Sequence, residues 1–169
     1  MEEIYRSGTG RVYVGDDRDY ERTKDRDDFS WIRCCKYGPG GHQQTLGYHT
    51  LAAPEGREHF VVKRGNLMAL NMLDLDDPHY VDREMIQAGL DFAQEELLSG
   101  RKLLIACNQG ESRGPTMGLM FLRSIGDMPH AYFLSQRIYH TIYEPYQPAQ
   151  GIEQFARMVW ANLGETGKV

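Results

Sequence analysis

The sequence is poor in cysteine, and this scarcity excludes two common features of small proteins. Its 169 residues include three cysteines, Cys34, Cys35 and Cys107. Because the number is odd and no C-x-x-C spacing occurs, the sequence predicts neither a disulfide framework nor a zinc site. We expect a reducing compartment, the cytoplasm, in which a reactive thiol stays usable.

Long apolar runs and an excess of positive charge are also missing. No run approaches the roughly 18 apolar residues of a membrane-spanning helix, and the opening MEEIYRSGTG is too polar for a signal peptide. We therefore expect no membrane partner. The formal net charge is −5, which argues against a general nucleic-acid surface. Any anion that the protein binds must be attracted locally.

The order of the apolar patterns predicts a single α/β domain over 1–169, with a central, partly parallel sheet flanked by helices. Strands are expected at 11–14, 30–35, 60–63, 66–73 and 102–106. Helices are expected over 82–98, after Pro115, from Pro129 to about Tyr143, and over 151–163. The segment 36–59 is rich in Gly, Pro and His, so we expect an insertion that carries a small hairpin or acts as a flap.

The stretch LIACNQGESRGP changes abruptly from apolar to polar at Cys107. A short buried strand ends there, and a helix is predicted to follow. Between them, the backbone N–H groups from Asn108 to Arg113 and the positive end of the helix dipole would surround an anion. Gly110 permits a tight turn, and the Arg113 guanidinium matches two phosphate oxygens. Such surroundings favour a thiolate, so the spacing predicts a phosphate-binding loop with Cys107 as nucleophile.

A second pattern overlaps this loop, because residues 110–114 also spell G-x-S-x-G. That pattern would make Ser112 the nucleophile of an α/β serine hydrolase, which needs an acid and a histidine on later strands. The downstream candidates are Asp127, His130 and His140. They fall in a part of the chain that reads as helices, so we favour Cys107 and expect Ser112 to brace the loop.

The run from Cys107 to Arg113 resembles the signature of the cysteine-based protein tyrosine phosphatases, nearest the dual-specificity phosphatases. Residues 70–98 resemble the strand, acid loop and helix that precede it, and residues 148–155 resemble the entry to the last helix. The resemblance implies a cysteinyl-phosphate on Cys107, phosphate held by Arg113, and no metal or other cofactor. It implies phosphate binding by the whole loop: Asn108, Gln109, Gly110, Glu111, Ser112 and Arg113.

The resemblance also implies a carboxylic acid about thirty residues before the cysteine, which protonates the leaving oxygen and then activates water. The stretch LNMLDLDDPHY offers Asp74, Asp76 and Asp77. We favour Asp74 because it directly follows a predicted strand. Asp76 has nearly the same spacing to the cysteine, and Pro78 marks Asp77 as a turn residue. We expect two of the three to be loop or cap carboxylates.

Two positions depart from the family pattern. The family usually has histidine before the cysteine, where this chain has Ala106, and serine or threonine after the arginine, where it has Gly114. The histidine helps to organise the loop, and the hydroxyl stabilises sulfur as a leaving group. Their absence predicts slow turnover and keeps a phosphate-binding pseudophosphatase module as the alternative. Gly114→Ser would test this, if the added Cβ fits the backbone.

The expected partner is a phosphorylated protein or a small phosphoester, with phosphotyrosine, phosphoserine and phosphothreonine all admissible. The resembled family also includes enzymes that act on RNA 5′-phosphates and inositol phosphates. No dense Lys/Arg cluster accompanies the loop, and Glu111 adds a negative charge. We therefore expect highly anionic substrates to be disfavoured, and an RNA end is the only nucleic acid that we consider.

Overall fold

The computed structural model describes residues 1–169 and is organised around a six-stranded sheet. In chain order the strands are β1 (Glu2–Ser7), β2 (Gly10–Gly15), β3 (Phe29–Arg33), β4 (Val61–Arg64), β5 (Leu67–Leu70) and β6 (Lys102–Ala106). They lie side by side in the order β1-β2-β6-β3-β5-β4. The four inner strands are parallel, and an antiparallel strand lies at each edge. The predicted α/β class with a partly parallel sheet is confirmed.

Six α-helices and one short 3₁₀ helix cover this sheet. They are α1 (Asp17–Thr23), α2 (His42–Leu46), the 3₁₀ helix (Pro78–Tyr80), α3 (Arg83–Leu98), α4 (Arg113–Ser124), α5 (Tyr132–Ile142) and α6 (Gln150–Thr166). The predicted start of α3 is confirmed, because the Asp82 side chain caps the helix by accepting a 2.7 Å hydrogen bond from the Met85 backbone N–H. None of the helices has the length and apolar character needed to cross a bilayer.

Strand β6 is buried on both faces, as its unbroken apolar sequence predicts. Leu103 and Ile105 join the large core, whereas Leu104 and Ala106 join a smaller cluster. Helices α3 and α4 pack near the sheet strands, and α4 is buried along almost its whole length. A helix in this position needs the nearly all-apolar sequence that follows Pro115.

The parallel strands place their carboxyl ends side by side. Gly15 of β2 and Arg33 of β3 are both register partners of Ala106, the last residue of β6. The segments that follow these three strands therefore leave the sheet at one level. Loops at this edge are where open α/β sheets bind ligands.

Several features differ from the sequence-based expectations. The strands expected over 66–73 and 30–35 end earlier, at Leu70 and Arg33. Strand β1 was not predicted, and it pairs antiparallel with β2. The segment 36–59 contains the short helix α2 and no strand, so the predicted hairpin is absent, whereas a role as an insertion or flap stays a prediction. Helix α5 begins at Tyr132 instead of at Pro129, because the backbone of Ala131 is extended.

Candidate active site

The loop between β6 and α4, residues 107–113, is shaped by a glycine and a tyrosine. Gly110 has a φ of +73°, a backbone conformation that side chains with a Cβ rarely adopt. Its carbonyl accepts a 2.7 Å hydrogen bond from the Tyr143 hydroxyl. Burial raises the pKa of Tyr143, so the phenol remains a donor at neutral pH. Cys107, at the start of the loop, is 2% exposed.

The Arg113 guanidinium is anchored at both terminal nitrogens. Nη1 donates to the Met72 carbonyl at 3.0 Å, and Nη2 donates to Oδ1 of Asn108 at 2.9 Å. Nε is buried, has no hydrogen-bond acceptor, and lies 3.6 Å from Oδ2 of Asp74. The side chain is thus fixed in position while one charged N–H remains without an acceptor.

Ser112 links the loop to two other segments. Its hydroxyl donates to Oδ1 of Asp74 at 2.8 Å and accepts from the Ala149 backbone N–H at 2.9 Å. No histidine contacts this hydroxyl: the two downstream candidates contact Arg123 and the Tyr146 ring instead. The catalytic triad that a serine hydrolase requires is therefore not assembled around Ser112.

The three candidate acids occupy different environments. Asp74 contacts both Ser112 and Arg113, and its side chain is 33% exposed. Asp76 is exposed and has no recorded side-chain partner. Asp77 caps the 3₁₀ helix by accepting hydrogen bonds from the backbone and ring of His79. The structure brings only Asp74 to the loop.

A cavity of about 290 Å³ opens above Cys107. Its lining residues are Asp74, Cys107, Gln109, Glu111, Ser112, Arg113, Gln147, Pro148 and Ala149. Arg113 is the only cation among them, and Asp74 and Glu111 are the two carboxylates. Asn108 and Gly110, which we predicted to bind phosphate, do not line the cavity. If these two residues contact a bound phosphate, they must do so through their backbone N–H groups.

Sequence reasoning missed the far wall of this cavity. Residues 147–149 reach it because the Gln147 backbone N–H donates to the Glu111 carbonyl at 2.8 Å. The resemblance of residues 148–155 to a helix entry did not predict this contact, since their proximity to the loop depends on how α5 and α6 pack. A larger cavity of about 560 Å³ lies between the 3₁₀ helix and α6, but no cysteine lines it. The smaller cavity, which both Cys107 and Arg113 line, is therefore the candidate site.

The other two thiols lie outside the cavity. Cys34 and Cys35 are fully buried, as expected for residues at the end of a strand. Burial raises the pKa of the Cys34 thiol well above its ordinary value, and burial raises the pKa of Cys35 to about 11. Both thiols therefore stay protonated at neutral pH. Neither of them lines the cavity, so Cys107 is the only thiol that does.

Gly114 is required by the close approach of α4 to β6. A Cβ at this position would lie 2.9 Å from the Cys107 backbone nitrogen and 3.0 Å from the Ala106 carbonyl carbon. Both neighbours are backbone atoms that cannot move independently. The condition that we attached to Gly114→Ser is therefore not met, and restoring the hydroxyl by this substitution would displace the loop.

The described residues contain no group of three or more His, Cys, Asp and Glu side chains arranged to hold a metal ion. No protein-family model matches the chain, and no curated protein matches its sequence. Solved structures do match its fold.

The fold is similar to those of several phosphatases. The structure of Tk-PTP in the active form has a TM-score of 0.59 and 15% identity, over 98% of this chain and 97% of that chain. The structure of DUSP15 has a TM-score of 0.60 and 12% identity, over 96% of this chain and 90% of that chain. The structure of PTPMT1 in complex with PI(5)P has a TM-score of 0.59 and 12% identity, over 96% of this chain and 97% of that chain. The chain therefore has the fold of the cysteine-based protein tyrosine phosphatases and their dual-specificity relatives.

Proposed function

We propose that the protein hydrolyses phosphomonoesters through a cysteinyl-phosphate intermediate on Cys107. The observation that carries this proposal is that Cys107 and the Arg113 guanidinium line the same polar cavity, in which Arg113 is the only cation. Its Nε makes no hydrogen bond and lies 3.6 Å from the Asp74 carboxylate, so an anionic ligand can take over the pairing with the guanidinium. The start of α4 adds a positive dipole end at the same place.

In the proposed reaction, the Cys107 thiolate attacks phosphorus as the ester bond breaks. Asp74 gives its proton to the leaving oxygen. The resulting carboxylate then takes a proton from water, whose oxygen attacks phosphorus and releases phosphate and the thiolate. Asp74 contacts Arg113 in the free chain, so a bound phosphate would compete for the guanidinium and release Asp74 for proton transfer.

The charges of the cavity favour a substrate with a single phosphate. Arg113 is its one cation, whereas Asp74 and Glu111 repel additional negative groups. We therefore propose phosphotyrosine, phosphoserine and phosphothreonine of proteins as substrates, in the cytoplasm. Inositol phosphates with several phosphate groups and RNA 5′-phosphates rank lower for the same reason.

A phosphate-binding module without turnover is the second candidate. The observation that favours it is the pair Ala106 and Gly114, which supply neither a ring nor a hydroxyl to the loop. Such a module would bind phosphate and vanadate in the same cavity without releasing product.

The test compares turnover with binding. Cys107→Ser should abolish hydrolysis of an aryl phosphate while phosphate and vanadate still bind, because the anion contacts come from Arg113 and backbone N–H groups. Ser112→Ala should only reduce the rate, since it removes a brace. Phosphopeptides, nucleotides, RNA ends and inositol phosphates would then rank the substrates. Activity that survives in Cys107→Ser and is lost in Ser112→Ala would refute the proposal.

A further inference from the structure

An ion pair between a buried arginine and a half-buried aspartate lies next to the 107–113 loop, outside the cavity. Arg33, at the end of β3, is completely buried, and its guanidinium packs over the Tyr20 ring at 4.9 Å from the centroid. Its Nη2 pairs with Oδ1 of Asp17, while Nε and Nη1 have no acceptor. Nη2 also donates to Sγ of Cys35 at 3.4 Å, so Asp17 is the one charged partner of this guanidinium.

The second oxygen of Asp17 points to Asn108. Nδ2 of Asn108 donates to Oδ2 of Asp17 at 3.2 Å and to the Tyr37 carbonyl at 2.9 Å. The Asp17 backbone N–H also donates to the Asn108 carbonyl at 3.3 Å. Because the Asp17 carboxylate and the Tyr37 carbonyl both accept from Nδ2, the Oδ1 atom of Asn108 is directed towards Arg113.

We infer that Asp17 is a positioning residue for the Arg113 guanidinium, acting through the Asn108 side chain. This inference rests on the proposed function of the cavity. Asn108 holds Nη2 and the Met72 carbonyl holds Nη1, so two fixed acceptors set the guanidinium plane. The orientation of the guanidinium beside the cavity is then set before any anion arrives. A pre-ordered guanidinium binds an anion more tightly, because less side-chain freedom is lost on binding.

Two double variants of the full chain separate this role from a purely structural one. Asp17→Ala with Arg33→Met removes the ion pair and the acceptor for Asn108. Asp17→Asn with Arg33→Met also removes the ion pair, but the new amide oxygen can still accept from Asn108. The two proteins share the loss of both charges of the ion pair and differ in one hydrogen-bond acceptor.

The readout is the dissociation constant for inorganic phosphate, measured by calorimetry, together with kcat and KM for an aryl phosphate. Loss of a hydrogen bond that involves a charged group typically weakens an interaction about tenfold. We expect a rise of this size in both the phosphate dissociation constant and KM for the alanine variant, and a clearly smaller rise for the asparagine variant. The effect on kcat should be less than that on KM.

Two controls complete the experiment. Val159→Ala, in the buried face of α6, lowers stability without touching the network and should leave phosphate affinity unchanged. Asn108→Ala should weaken phosphate binding in the parent and add little in the alanine double variant. Equal phosphate affinities in the two double variants would overturn the inference. A parent protein that binds phosphate but does not hydrolyse aryl phosphates would instead refute the proposed function alone.

Discussion

Asp74 is held at the cavity by two groups of different kinds, a neutral hydroxyl and a guanidinium. Ser112 contacts one carboxylate oxygen at 2.8 Å, and Arg113 lies 3.6 Å from the other. In the proposed mechanism, a bound phosphate takes over the pairing with the guanidinium and leaves the Asp74 carboxyl group free to give its proton to the leaving oxygen. Substrate binding and proton transfer would then be linked through Arg113.

Asp74→Asn should lower kcat for alkyl phosphates by about 10²- to 10⁴-fold, the usual contribution of general acid catalysis. The loss should be much smaller for aryl phosphates with good leaving groups, which need little protonation. The basic side of the pH–rate profile should also flatten. Steady-state kinetics with both substrate types measures this, and Asp76→Asn is the matched control because its side chain is solvent-exposed. The same leaving-group pattern in Asp76→Asn would show that the acid is misassigned.

The residues of the loop could be predicted from sequence because Cys107 and Arg113 belong to one local pattern between a strand and a helix. Asp74 could be proposed but not separated from its two neighbours by local pattern alone. What distinguishes it is a contact with Ser112, a residue 38 positions later in the chain. The network of Arg33, Asp17 and Asn108 could not be predicted from the sequence, because its members are also far apart in the chain.

At the scale of elements, the junction of β6 with α4 sets the shape of the site. Helix α4 approaches the end of the strand so closely that only glycine fits at position 114. This explains why the chain lacks a hydroxyl there: the space is occupied by the backbone of Ala106 and Cys107.

Gly114→Ser should destabilise the protein rather than accelerate it. Forcing a side chain into a packed site typically costs about 1–3 kcal/mol, so we expect a lower Tm and weaker phosphate binding. Circular dichroism melts and phosphate titrations measure these effects. Ser124→Ala, at the other end of the same helix, is the control that adds no atoms. A faster steady-state rate with an unchanged Tm in Gly114→Ser would contradict this account.

Elements with a strong local pattern were predicted well, whereas those that depend on neighbours were not. The strand 102–106 and the helix that begins after Asp82 agree with prediction, because apolar spacing and a capping residue mark them. Strand β1 has polar residues at both ends, and only its pairing with β2 makes it a strand. Segment 36–59 is organised by long-range contacts that no periodicity encodes.

On the scale of the whole molecule, the burial of His42 within segment 36–59 makes the stability of the protein depend on pH. His42 is fully buried between Tyr48 and the Glu58 carbonyl, to which Nε2 donates at 2.8 Å. Burial lowers the pKa of His42 below its ordinary value of 6.5, despite the opposing effect of that hydrogen bond. The unfolded chain therefore takes up a proton at a higher pH than the folded chain does.

The contribution of His42 to the free energy of unfolding should consequently be fully present well above pH 6.5 and fall as the pH drops through that value towards the folded pKa of His42. The slope from this single group cannot exceed about 1.4 kcal/mol per pH unit. Urea unfolding between pH 5 and pH 8 measures it. In His42→Gln the same curve should lose this component, although its absolute stability will be lower. Identical pH slopes in the two proteins would rule out His42 as the cause.

The central claim is that Cys107 carries the phosphate between two chemical steps. Since no hydroxyl at position 114 stabilises the departing sulfur, the second step should be slow and the intermediate should accumulate. Rapid mixing with an aryl phosphate, followed by acid quench and mass spectrometry of the peptides, observes it directly. We predict a burst of about one product per active site, with phosphate attached to Cys107. Steady turnover without a burst and without phosphorylated Cys107, or phosphate attached to Ser112, would contradict the account.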